Sequence, residues 1–557
     1  MLSKLKKYKI YVITSVSVLC LYAFVDNYFE VARNLDLFST VYREVNANYV
    51  DPTDPGKMLK KGVDSMLSTL DPYTNYIPES DIEDFRFMTT GQYGGIGAQI
   101  RQKGQYVAIA DPYEGFAADK AGLRAGDMIL EVDGKSIKGK KTDDMSKLLK
   151  GQPQTSVKLL IERVGEPKPF EKLVVREEIK VKSVPYFAML DNEVGYIRLI
   201  SFTDNCGKDV KDALLELKKS NLKYLILDLR GNPGGLLNEA VNISNIFVAK
   251  GQEVVTTKGR YKDQEKKYLT VNDPVDVDIP LAVLVNRGSA SASEIVSGSI
   301  QDLDRGIIVG QRTFGKGLVQ ITRDLTFNAK VKVTVAKYYI PSGRCIQALD
   351  YSHRNEDGSV GKVPDSLITP FKTHTGRVVY DGGGVLPDVA VESFKSSNIA
   401  NSLASKGLVF DYATLYRSKH NTIAGPKEFA LNDNDFNDFL NFINNKEYDY
   451  TSKSEKALEE LKANADKEKY SDVIKEEYET LKNKLVHNKK EELLKNKAEV
   501  LQILKEQIVM HYYHQKGLIQ AQLNSDEEIL KAKETLKDSN KYQAILKGTY
   551  ANPNPKK

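Results

Sequence analysis

Residues 280–302 read PLAVLVNRGSASASEIVSGSIQD. The opening run, PLAVLVN, is apolar throughout rather than alternating, which marks a strand covered on both faces, as in an α/β sheet. It enters a turn of glycine and small residues, and SEIVSGSIQD then reads as a helix. At such a strand-to-helix turn the Ser291 hydroxyl is exposed. The N–H of the next residue sits at a helix N-terminus, where negative charge is favoured. Ser291 is therefore a candidate nucleophile.

VGYIRLISF, LKYLILDLR and RGIIVGQ are further short apolar runs bounded by turn residues, and VKDALLELKKS and LNEAVNISNIFV between them read as helices. KVKVTVAKYYIPSGRCIQ adds an alternating strand that ends in a turn. Residues 181–395 are thus expected to form an α/β core. Upstream, residues 89–180 alternate short strands with glycine turns and hold two short helical pieces, AADKAGL and DDMSKLLKG. That order resembles a PDZ domain, most specifically in AGLRAGDMILEVDG and in Gly95-Ile96-Gly97-Ala98. A glycine loop of this kind frees N–H groups to meet a terminal carboxylate, and the adjoining strand edge can accept a peptide as an extra strand.

The ends differ from the middle. Lys4, Lys6, Lys7 and Lys9 precede an apolar run from Ile10 to Val25, the layout of an export signal. Residues 1–26 read as a signal peptide or a short membrane anchor, and the positive flank sends the bulk of the chain across the membrane. Residues 27–88 read as a helical lead-in, with Phe38, Val41, Val45 and Tyr49 on one apolar face. Residues 396–557 read as a helical extension, within which 452–547 is dense in Lys and Glu, places Ile474, Tyr478, Leu481 and Leu485 at helical steps, and contains two capping-box starts, Ser452 to Glu455 and Ser525 to Glu528. This helical extension is expected to dock on the core, on a second copy of the chain or on an adaptor.

Ser291 needs a base. No histidine occurs before His353, so a histidine partner would have to reach back from later loops. Lysine is the other known partner of serine, and Lys316 follows 316 − 291 = 25 positions later. To act as a base its amine must be neutral, which means bringing a pKa of about 10.4 down to roughly 7–8 by burial. Gly315 and Gly317 permit close packing there, and Phe314 is expected to exclude water. Gly310 to Lys316 also fits the phosphate-loop pattern G-x-x-x-x-G-K. That reading fails on Gly317, where a Ser or Thr would bind Mg²⁺, and on LVQITRDL, which reads as strand rather than helix.

GYIRLISF, LDLRGNPGGLL, NRGSASASEI, TFGKGLVQ, AKYYIPSGRCIQ and GGGVLPDV, together with the glycine loop at residue 95, follow the order found in carboxyl-terminal processing proteases, also called tail-specific proteases. Residues 30–395 resemble that family of serine peptidases, which carry a Ser-Lys pair and a PDZ domain that senses the substrate's C-terminus. The resemblance implies Ser291 as nucleophile, Lys316 as general base and Gln320 as the residue orienting the lysine. It implies an oxyanion hole from the Ala292 N–H and one N–H of the Gly234-Gly235 turn, with the choice between the two glycines open. It implies Gly95, Ile96, Gly97 and Ala98 as the binding loop for a peptide C-terminus, with no metal and no cofactor. The expected fold class is α/β in a multi-domain α+β chain. The expected location is the cell envelope, on the periplasmic side of the inner membrane.

The whole-chain numbers agree with this organisation. A chain of 557 residues exceeds one core and divides into three or four domains. A net charge of +5 is small for the length and gives no argument for nucleic acid. Cys20, Cys206 and Cys345 form neither a metal cluster nor a disulfide framework. A catalytically inactive PDZ scaffold is the alternative reading, and an intact Ser291, Lys316 and Gln320 count against it.

Overall fold

The computed structural model describes residues 29–448, 450–485 and 489–550. The expected signal or anchor over 1–26 and Cys20 lie outside the described residues. Among the described residues, no helix is long and apolar enough to cross a membrane.

The chain divides into two compact units, one holding the residues up to Glu79 with Thr322–Val333, the other Ser80–Ile321 with Thr334 onward. In the first, a helix over 29–48 and the helix Pro55–Ser68 are followed by a strand, Asn75–Ile77, which pairs antiparallel with Lys330–Lys332. Asp54 caps the second helix by accepting the Lys57 N–H at 3.0 Å, and Pro55 opens it where a missing N–H costs nothing. The strand corrects the all-helical expectation for the lead-in. Phe38, Val41, Val45 and Tyr49 are all exposed, so the apolar face inferred from their spacing is not buried within the unit.

In the second unit, the strands Gln92–Gly95 and Glu177–Lys180 run side by side, antiparallel, where the chain enters and leaves the PDZ-like domain expected over 89–180. Between them the strand Ala98–Lys103 forms the edge of a sheet, and the helix Thr142–Leu149 buries Met145 and Leu149 in the same domain's core. The sheet continues through the strand Phe170–Val175, beyond the expected sequence of elements.

The core expected over 181–395 is a six-stranded sheet in the order Tyr186–Met189, Val194–Arg198, Tyr224–Asp228, Leu281–Val285, Ile307–Gly310 and Val389–Ala390, antiparallel at the first pair and parallel thereafter. Strand alternation sorts its apolar residues into two cores. Leu281, Val283 and Val285 pack with the helices Cys206–Leu217, Leu237–Phe247 and Ala292–Asp302 on one face. Ala282 and Leu284 pack on the other with Ile529, Ala532, Leu536, Tyr542 and Ile545 from the helices Glu527–Lys537 and Ser539–Leu546. The last part of the C-terminal extension is therefore the second cover of the core sheet. The Tyr542 hydroxyl also accepts the Leu281 N–H at 3.1 Å.

The rest of the extension builds its own core around Tyr412, Phe436, Phe439, Leu504 and Ile508. Ser452 and Glu455 form the expected capping box. The second expected box does not form: Asp526, not Ser525, caps the helix Glu527–Lys537, and Glu528 turns away to other partners. A carboxylate at residue 526 meets both the Ile529 N–H and Arg230, a pairing that a serine hydroxyl lacks the charge to make. Leu481 is exposed although Tyr478 beside it is buried.

Candidate active site

Ser291 sits in the turn between Leu281–Val285 and Ala292–Asp302 with φ 55° and ψ −114°, in the left-handed region of φ that a non-glycine residue rarely occupies. Such strain persists only where surrounding contacts over-determine it. Here they do. Ser289 donates its hydroxyl to the Leu229 carbonyl at 2.8 Å, Ser293 donates to the Asn232 carbonyl at 2.9 Å, and the Ala290 N–H reaches the same carbonyl at 3.0 Å. The two flanking serines thus make local hydrogen bonds and are fully buried.

The turn is tied to the lysine loop by two residues. The buried Glu294 carboxylate accepts the N–H of Ser291 at 2.9 Å, of Gly315 at 2.7 Å and of Lys316 at 2.8 Å, and the Thr313 hydroxyl at 2.5 Å. Burial pushes the Glu294 carboxyl above its ordinary value, against these four donors. The Tyr338 hydroxyl donates toward the carbonyls of both Ser291, at 3.2 Å, and Lys316. The backbones of Ser291 and Lys316, 25 positions apart in sequence, are therefore held by one carboxylate and one phenol.

Gly317 leaves room for the neighbouring chain, since a Cβ there would come within 2.9 Å of the Gln347 nitrogen. The strand Leu318–Asp324 follows, as LVQITRDL implied. Gln320 lies on it and donates its amide to the Thr334 hydroxyl at 3.1 Å. Phe314 corrects its expectation: it is 48% exposed, because its N–H is pinned to the Ser289 carbonyl and its ring turns outward.

The Gly234-Gly235 turn lies against the same place. A Cβ on Gly234, at φ 97°, would stand 2.8 Å from Ser291 Cβ and 2.9 Å from the Ala292 nitrogen. Gly234 donates its N–H to the Asn232 side chain at 2.9 Å and its carbonyl accepts from Phe202 at 3.0 Å. Among the described residues, none accepts from the N–H of Ala292 or of Gly235. Behind the turn, burial opposes the charge on Asp228, yet Arg230 and Arg198 beside it hold its carboxyl well below the usual range.

In the PDZ domain, Gly95 ends a paired strand, Ile96 is buried, and Gly97 turns at φ 73° with Phe116 so close that a Cβ would meet it at 2.7 Å. Ala98 then starts the edge strand. Sequence reasoning missed Glu294, Tyr338, Asn232 and Arg230. Glu294 had a signal, since Ser291 and Glu294 have capping-box spacing. Tyr338 had none, because only the fold brings its strand to the turn.

Comparison with known proteins agrees with the architecture. Residues 193–352 match peptidase family S41, residues 109–163 match a PDZ domain, and residues 399–536 match the C-terminal helical domain of a probable PDZ-protease. The chain is 36% identical over 321 residues to a carboxy-terminal-processing protease of Bartonella bacilliformis, covering 57% of this chain and 73% of that protein. It is 39% identical over 316 residues to a probable CtpA-like serine protease of Staphylococcus aureus, covering 56% of this chain and 62% of that protein. Among solved structures it is similar to the photosystem II D1 C-terminal processing protease, with 30% identity, a TM-score of 0.36, and coverage of 64% of this chain and 92% of that one. The chain belongs to the carboxy-terminal-processing proteases of peptidase family S41 and is a serine peptidase carrying a PDZ domain.

Proposed function

We propose that this peptidase cleaves proteins selected by their C-termini, with Ser291 as nucleophile and Lys316 as general base. The observation that carries the reading is the strained Ser291 turn bound to the Lys316 backbone through Glu294. The neutral Lys316 amine takes the proton of Ser291 Oγ as the oxygen attacks the scissile carbonyl. Lys316 then gives that proton to the departing amine, leaving an acyl ester. Water, deprotonated by the same amine, attacks the ester and releases the new C-terminus while the proton returns to Ser291. Gln320 orients the lysine from the neighbouring strand. The oxyanion sits between the N–H groups of Ala292 and Gly235, the choice of Gly235 being supported by the engagement of the Gly234 N–H with Asn232. One such donor is worth about 10²- to 10³-fold in rate.

Substrate C-termini bind at Gly95 to Ala98 and extend along the open edge of Ala98–Lys103, supported by that strand's place at the end of its sheet. The charged and apolar pattern of residues 4–25 supports an exported chain working in the cell envelope, held at or released from the membrane. The test pairs an unfolded peptide ending in small apolar residues with the same peptide amidated at its C-terminus. The free acid is expected to be cut faster, and equal rates would sink recognition of the C-terminus. Ser291→Ala and Lys316→Ala are each expected to lower turnover by roughly 10⁴-fold or more; a Lys316→Ala enzyme of normal activity at neutral pH would remove lysine from its role.

A further inference from the structure

Two loops meet at Ser291, the Gly231–Gly235 turn and the loop that delivers Lys316. Both are glycine-rich, with φ of 66° at Gly231, 97° at Gly234 and 87° at Gly315. Glycine permits these conformations but does not hold them. Their roots are held in part from outside the core's own sequence. Arg230, directly before Gly231, is gripped by Asp228 at 2.6 Å and by Asp526 at 2.8 Å, and its guanidinium also meets Glu528. Glu528 further accepts the side-chain amide of Gln311 at 3.1 Å. Gln311 is the first residue after the strand Ile307–Gly310 and heads the Lys316 loop. One carboxylate, from the start of the helix Glu527–Lys537, thus touches the roots of both loops.

The arrangement costs more than a packing contact would. The Glu528 side chain is 13% exposed, and burial pushes its carboxyl above its ordinary value while Arg230 opposes. Apolar packing of the same helix against the sheet already supplies adhesion. What a charged, multiply hydrogen-bonded contact adds is direction, since a guanidinium between carboxylates fixes angles as well as distance. Arg230 also presents its carbonyl to Arg198 at 2.7 Å, so its backbone is held along with its side chain.

We propose that Asp526 and Glu528 are positioning residues of the active site, setting the oxyanion turn and the lysine loop relative to each other through Arg230 and Gln311. The proposal rests on the assignment of Ser291 and Lys316. A catalytic group displaced by about 1 Å can cost on the order of 10²-fold in rate, so the brace, whose partners are Arg230 and Gln311, acts on turnover rather than on substrate binding at the PDZ domain.

The test uses the whole protein with Glu528→Ala, the near-isosteric Glu528→Gln, and Ser291→Ala as control. Turnover of a free-acid peptide is measured at a temperature where circular dichroism shows each variant fully folded. Glu528→Ala is expected to lower kcat by roughly 10- to 100-fold with KM changed by less than about twofold. Glu528→Gln, which keeps the length and the bond to Gln311, is expected to recover part of that loss. A folded Glu528→Ala with kcat within about twofold of the parent overturns the brace, as does a fall in kcat that only tracks the unfolded fraction. If Glu528→Ala does not fold, Glu528→Gln decides: parental kcat overturns the proposal, and lowered kcat at constant KM supports it. A Ser291→Ala protein as active as the parent would instead sink the assignment of the site, whatever Glu528 does.

Discussion

Against the protease sheet, the C-terminal helices bring Leu523, Ile529, Leu536, Tyr542 and Ile545 into one buried cluster with the strands. Against the PDZ domain, the same C-terminal region presents a different chemistry. Arg101 stacks on the Phe410 ring at 4.3 Å, Lys103 pairs with Asp411 at 2.9 Å, and Asp111 pairs with His514 at 2.7 Å. The first interface resembles the interior of a domain, and the second resembles a transient contact between domains. The extension is thus joined to the core sheet by apolar packing and to the PDZ domain by charged and aromatic contacts.

His514 sharpens the contrast. It interrupts the helix Lys497–Gln522 with φ 55° and ψ −163°, a conformation that costs on the order of 1–3 kcal/mol and needs compensation. Asp111 supplies a partner. The hydrogen bond to Asp111 raises the His514 pKa, against burial, with Asp119 and Glu114 adding to the rise. Burial raises the Asp111 carboxyl, which His514 and Arg417 oppose. His511 nearby is pushed down to about 3 by burial.

The largest expected effect is on the apolar side. Leu536→Ala should destabilise the protease core by about 2–5 kcal/mol, read as a shift in urea midpoint at unchanged slope, because it leaves a cavity under the sheet. A shift no larger than that of a surface substitution would erase the contrast between the two interfaces.

An intermediate effect is expected at His514 and is pH-dependent. A group whose pKa is raised by folding stabilises fully below its ordinary value, about 6.5, and loses that contribution as pH climbs through the higher folded value. The raised Asp111 carboxyl has the same sign at more acid pH. Amide exchange over residues 512–516 should therefore quicken as pH is raised above neutrality, after correction for intrinsic rates. His514→Gln should flatten this dependence while the core's urea midpoint stays in place. A lowered urea midpoint of the core in His514→Gln would mean the two interfaces are one.

The smallest effect is at the rim. Lys103→Ala should cost less than about 1 kcal/mol, since both Lys103 and Asp411 remain partly exposed. A larger loss in thermal unfolding would give this pair a structural weight its exposure does not suggest.

Much of the molecule was legible in local pattern. The apolar run at 281–285 announced a strand covered twice, and the turn at Ser291 announced an exposed hydroxyl, because burial and turn chemistry are written in neighbouring residues. What covered the second face was not legible: Ile529 and Leu536 lie some 250 positions beyond the strand. The helical stripe at Phe38 to Tyr49 was legible as a helix but not as an exposed one. Glu528 read as a helix cap because spacing alone carried that inference, and its bonds to Arg230 and Gln311 come from residues 298 and 217 positions away.

Most of the core strands, the turn at Ser291 and the residue types assembled for chemistry were set by contacts within a few residues, whereas the strands Asn75–Ile77 and Phe170–Val175 were not foreseen. Glu294 and Tyr338 bind the Ser291 turn to the Lys316 loop, His514 seats the PDZ domain, and the last two helices complete the core, all only in the folded chain. These are meetings between residues distant in the chain. No periodicity encodes them, because each is selected only by the summed packing of the folded state.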